Sequence, residues 1–141
     1  MAWRTPTEAV VMWEWQLSES EVSDAQRRAD SVTLHFSAVT ARILGMQAGE
    51  GPSAWGYAQG LVLDLHQVQV AQWEGFAAGR IAHGRLFQAG KLVPSLPVPA
   101  QESVASVWEL RFANGALLVL AAQAWQCRFA GEPRFRESYA C

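Results

Sequence analysis

Hydrophobic and polar positions alternate from residue 10 to 17. Val11, Trp13, Trp15 and Leu17 fall on one side and Met12, Glu14 and Gln16 on the other. A period of two marks a strand with one buried face. The polar stretch 18–30, SESEVSDAQRRAD, has Val22 as its only β-branched residue and predicts a loop with at most a short helix. Residues 31–44 form a second, longer strand whose apolar set changes parity, from Val32, Leu34 and Phe36 to Val39, Ala41 and Ile43. One extra residue shifts the phase of a strand in this way, which predicts a bulge or sharp bend near Ser37 and Ala38.

Residues 45–60 carry five glycines and one proline around Trp55 and Tyr57 and read as a loop. Residues 61–73 change faces again: Leu61, Leu63 and Leu65 face one way and Val68 and Val70 the other, with the switch at His66 and Gln67. Two strands that exchange faces midway suggest a curved sheet that turns corners. Residues 79–87 make a strand weakened by Gly84, Ala89-Gly90 a turn, and Lys91 to Val93 a strand pairing back. Pro94, Pro97 and Pro99 confine the next segment to a connection or a sheet edge. Asn114-Gly115 between two apolar runs predicts a two-residue hairpin that pairs Phe112 with Leu117, Leu110 with Val119 and Trp108 with Ala121 on one buried face. The second strand of that hairpin continues through Trp125, placed across from Val104, to Phe129. The tail alternates through Phe135 and Tyr139 and predicts an edge strand.

The expected fold is a single all-β domain over residues 1–141. It is an antiparallel meander of six or seven strands that forms a closed or partly open barrel, or a two-layer sandwich. At 141 residues the chain can bury a proper core without disulfides or metal. Lys91 is the only lysine and the arginines are scattered, so no basic face for nucleic acid is expected. No secretion signal or apolar stretch long enough for a bilayer is visible, which makes the cytoplasm the expected location. Cys127 and Cys141 read as thiols of a reducing compartment, although pairing would pin the tail to a strand.

The chemistry on offer is sparse. The cysteines stand alone, and His66 with His83 across adjacent strands would lack a carboxylate ligand, so no metal and no cofactor is expected. Asp64 and His66 share a strand face and form the one candidate acid–base pair, with a solvent-facing polar pair as the plainer reading. Residues 51–56, GPSAWG, lack the spacing and preceding strand of a nucleophile elbow, and the lysine and helix of a phosphate loop. Cys127 beside Arg128 reads as a buried, inert thiol.

Seven tryptophans are the unusual feature. Trp13, Trp15, Trp108 and Trp125 follow the apolar period and belong to the core. Trp55, Tyr57 and Trp73 stand beside glycines, where they would either seal a barrel end or anchor a protein partner. Glu19, Glu21 and Asp24 form an acidic cluster answered by Arg27 and Arg28, either a solvated loop or a patch for a basic partner.

The hairpin ELRFANGALLVL, followed by a Cys-containing strand, GEPRF and a terminal Cys, resembles small bacterial β-rich proteins without assigned activity, over the last third of the chain. In type it is similar to toxin-neutralising immunity proteins. The resemblance implies a non-enzymatic module that binds a protein, most concretely a toxin blocked by occlusion, through Trp55, Tyr57, Trp73, Glu19, Glu21 and Asp24. The alternatives are a lipocalin-like carrier of a small apolar ligand and a small hydrolase using Asp64 with a histidine. A monomer is expected, or a homodimer through an edge strand such as the tail or 91–93.

Overall fold

The structure is a computed structural model that describes residues 12–45 and 51–137. It consists of thirteen strands: β1 (Met12–Arg28), β2 (Ser31–Gly45), β3 (Gly56–Ala58), β4 (Leu61–His66), β5 (Gln69–Glu74), β6 (Gly79–Gln88), β7 (Lys91–Val93), β8 (Leu96–Val98), β9 (Ala100–Glu102), β10 (Ser106–Phe112), β11 (Leu117–Ala122), β12 (Ala124–Phe129) and β13 (Arg136–Glu137). Every pairing is antiparallel. The hydrogen-bonded path runs β5-β11-β10-β6-β1-β2-β4-β12-β9 and does not close; β7 hangs on β6, β8 on β1, and β3 with β13 on β2. Thirteen strands replace the expected six or seven because the long runs break in two and short bridging strands fill the expected loops. Among the described residues there is no helix, and so none long and apolar enough to cross a membrane.

The segment 18–28 is strand, not loop or helix. It continues β1 opposite β2, but four residues, Leu17 to Ser20, face the single residue Val39. Glu19 takes a left-handed backbone with φ 69°. Buried Ser20 satisfies the irregularity: its Oγ donates to the Gln16 carbonyl at 2.7 Å and accepts from the Thr40 amide at 3.0 Å. The insertion lets β1 change neighbours, from β8 at Trp13–Trp15 to β6 at Glu21–Val22. On β2 the expected bulge is present: Glu21 pairs with Ala38 and Val22 with Phe36, so Ser37 is the extra residue and burial switches from even to odd positions there.

The change of face at 66–67 is a corner. Gln67 has φ 52°, β4 lies between β2 and β12, and β5 pairs with β11. Residues 117–129 break at Gln123, whose amide donates to the His66 carbonyl at 3.1 Å. The two segments therefore turn together, still side by side. Trp125 sits between Leu65 and Glu102, not opposite Val104.

The hairpin of β10 and β11 is one residue out of the expected register. Leu110 pairs with Leu118, Trp108 with Leu120, and Arg111 with Leu117. The Phe112 amide donates to the Ala116 carbonyl at 2.9 Å, so the loop holds three residues, Ala113 to Gly115, with only Gly115 at positive φ (93°). That is a type I turn closed by a left-handed glycine. A slip of one residue exchanges faces: Leu118, Leu120 and Ala122 are buried, and Leu117, Val119 and Ala121 move outward. Val119 thus lies on the surface opposite to Leu110.

Trp15, Trp108, Trp125, Phe36 and Phe112 are the largest side chains of the core, with Trp13 at its margin. They meet edge to face: Trp108 with Trp125 at 5.8 Å, Trp15 with Phe36 at 5.3 Å, and Trp13 with both Phe129 and Phe135 at 5.3 Å. Such pairs add about 0.5–1.5 kcal/mol each beyond burial. Gly84 is where β6 meets β1: an added Cβ would stand 2.5 Å from Cβ of Leu17, and the Gly84 amide donates to Oγ of Ser18 at 3.1 Å. The tail supplies a short edge strand, Arg136–Glu137 against β3, and Lys91–Val93 pairs with β6. Val11, Tyr139 and Cys141 lie outside the described residues, and with Cys141 the question of its pairing with Cys127.

Candidate functional site

β3 is a three-residue strand between β2 and β13, and Gly56 makes it possible: a Cβ there would collide with the carbonyl oxygen of Arg136. Gly56 and Ala58 face inward and are buried, so Tyr57 and, before it, Trp55 face outward. Tyr57 is 45% exposed and lies between Thr40 and Arg136. The approach to β3 is fixed by Ser53, whose amide donates to the Ile43 carbonyl at 2.7 Å and whose Oγ accepts from the Ile43 amide at 2.9 Å. Trp55 is held by charge: the Arg42 guanidinium stands 4.7 Å from its ring centroid and pairs with Glu14 at 3.1 Å. Glu14 and Arg42 are opposite one another on β1 and β2, and both are largely covered.

The same outward face extends to the β1 irregularity. Glu21 lies opposite Ala38, two positions along β2 from the Thr40 that pairs with Tyr57. Its Oε1 accepts from Ser37 Oγ at 2.6 Å. Glu19 is engaged by Arg80 through both carboxylate oxygens at 3.0 Å, and Asp24 accepts from Gln26 at 2.9 Å. The acidic cluster is therefore partly neutralised and belongs to a strand. Trp73 does not join this face. It sits on β5 at the far end of the path, opposite Leu118, half-buried against the core, with the Arg27 guanidinium 5.9 Å from its ring. Arg42, the residue that fixes Trp55, escapes sequence reasoning because its role depends on the pairing of β1 with β2. The alternation of Glu14 with Trp13 and Trp15 was the available signal.

Asp64 and His66 stay two apart on β4, whereas His83 stands on β6. Asp64 is occupied: it accepts from Thr33 Oγ1 at 2.7 Å, from Gln126 at 3.3 Å and from Arg128 at 2.9 Å. Partial burial alone would raise its pKa, but the hydrogen bonds from Thr33, Gln126 and Arg128, with the Arg128 charge, outweigh burial and hold the carboxyl below its ordinary value. His83 is on β6, whose neighbours are β1, β7 and β10, so it does not meet His66 of β4. Cys127 is buried, its thiol donates to the Pro97 carbonyl at 3.3 Å, and burial pushes its pKa up to about 11. The indole N–H of Trp15 lies beside that sulfur but outside hydrogen-bonding geometry. Among the described residues no group of three or more His, Cys, Asp or Glu is placed to hold a metal ion.

With this arrangement in view, the chain matches no family model, no curated protein and no solved structure.

Proposed function

We propose that the chain is a non-enzymatic protein-binding module whose contact surface is the outward face of β1, β2 and β3, centred on Trp55 and Tyr57. The observation that carries this reading is the fixed presentation of two aromatic side chains, one clamped by Arg42 and one standing free on a hydrogen-bonded strand. Rigid aromatics contribute contact area at small entropic cost, as anchors of interfaces do. Glu21 supplies a carboxylate at the margin of the same face. The antiparallel sheet, with Leu96–Val98 along β1 and Ala100–Glu102 along β12, supports this face. In its most concrete form the partner is a toxin whose active site this face covers.

The test is a quantitative pull-down from the native host, followed by affinity measurement with the recovered partner. Trp55→Ala with Tyr57→Ala weakens binding by about 2 kcal/mol or more while the melting temperature stays put. An unchanged affinity in the double variant sinks the reading. A recovered partner that has no toxic activity, or keeps it in the complex, sinks the toxin form alone.

A further inference from the structure

The outward face of β6, β10 and β11 is ordered in rows. In the first, Val107 lies opposite Ala121 and Phe87, and Phe87 opposite Leu92 of β7; all four are apolar, and Leu92 is 58% exposed. In the second, Glu109 lies opposite Val119 and Arg85. In the third, Arg111 lies opposite Leu117 and His83. Inward neighbours Leu86, Trp108, Leu110, Leu118 and Leu120 are buried, which fixes these residues outside.

The charge in these rows is unbalanced. Glu109 pairs with Arg85 at 2.6 Å, and Arg85 also covers the Phe87 ring at 5.7 Å, linking the apolar row to the charged ones. Arg111 has no ion-pair partner among the described residues, and the side chain directly across from it is a histidine. The Arg111 guanidinium is thus left without a counter-charge in its row, where a carboxylate can accept from it. His83, Arg85 and Arg111 also line two adjoining hollows of about 450 and 90 Å³, the first reaching Ser18 and the second Glu109 and Leu117. With Arg85 already answered by Glu109, the rows leave one uncompensated charge among the described residues, the Arg111 guanidinium.

We propose that this face docks an acidic, extended segment of a partner protein. Rows on a sheet are about 6.8 Å apart, the spacing of residues i and i+2 in a strand. A segment lying along β10 therefore presents an apolar side chain to Val107, Phe87 and Leu92, a neutral one over the Glu109–Arg85 pair, and a carboxylate to Arg111 beside His83. The recognised pattern is apolar-x-neutral-x-acidic. The site is separate from the face carrying Trp55 and Tyr57, and each can fail without the other.

The probe is the capped peptide Leu-Thr-Thr-Thr-Glu, titrated into the isotope-labelled full chain and followed by amide chemical shifts. The expected shifts fall on His83–Phe87 and Val107–Arg111. Arg111→Gln weakens binding by about tenfold or more with the remaining spectrum unchanged, as does replacing the glutamate by glutamine. The Trp55→Ala, Tyr57→Ala variant binds the peptide as before. The proposal is overturned by no shift at millimolar peptide, by equal binding of the glutamine peptide, or by inorganic phosphate alone reproducing the shifts, which would mark a simple anion site.

Discussion

Trp108 and Trp125 on one side, and Trp55 with Tyr57 on the other, show the same class of side chain held by different means. Inside, the two rings are fully buried and cross edge to face, and each indole N–H has an acceptor: Ser106 Oγ at 2.8 Å for Trp108, and Gln88 Oε1 at 2.8 Å for Trp125. Buried polar atoms that are satisfied cost little, so the area removed from water becomes stability. Outside, Trp55 is fixed by a cation and Tyr57 by its strand alone. Little apolar area is lost there, and what remains exposed is available to a partner. Aromatic content by itself therefore says nothing about role; the group that holds the ring does.

The sharpest way to break this contrast is Trp108→Ala, expected to cost about 3–5 kcal/mol in denaturant unfolding because it empties the centre of the core. A loss below 1 kcal/mol would mean that the interior is not packed around this ring. Next comes Gly84→Ala, expected to cost about 1–3 kcal/mol, since the new methyl meets the Cβ of Leu17, which the β1 backbone holds in place. Asp64→Asn is smaller, about 1 kcal/mol, because half-exposed Arg128 contributes little and the Thr33 hydrogen bond carries most of the effect. It has a pH signature. The folded pKa lies below the ordinary 3.8, so the stabilisation is complete above that value and is lost as pH falls through the depressed one. The wild type should lose stability in that acidic window relative to the asparagine variant; parallel curves would exclude the ionised carboxylate as the cause. Smallest is Tyr57→Ala, expected within about 0.5 kcal/mol of wild type by thermal unfolding. A large loss would place Tyr57 with the core tryptophans.

Where a physical signal was local, the sequence could be read. The parity change between Phe36 and Val39 located the Ser37 bulge, and the one at 66–67 located a turn in the sheet. Asn114-Gly115 announced the hairpin, but the dipeptide suits two loops, and the three-residue form shifts Leu118 into the core in place of Val119. Residues 18–28 were illegible as strand because the insertion at Leu17–Ser20 breaks the alternation and most of the side chains that follow are solvated. For the candidate site, Trp55, Tyr57 and Glu21 were legible as one set of contact residues, but not the pairing that sets them side by side. Their common face depends on β2 standing between β1 and β3, a long-range pairing that no local pattern encodes. Trp73 was misplaced for the same reason.

The paired corner of β4–β5 with β11–β12 has a consequence for synthesis. Asp64 leaves the ribosome 62 residues ahead of Gln126, to which it is hydrogen-bonded. Until that late segment is translated, one flank of Leu61–His66 has no companion, and the nascent chain carries a sticky, half-finished edge. Contacts of such long range form slowly. Expression at reduced temperature, or with a chaperone that shelters unfinished strands, should therefore raise the yield of folded protein.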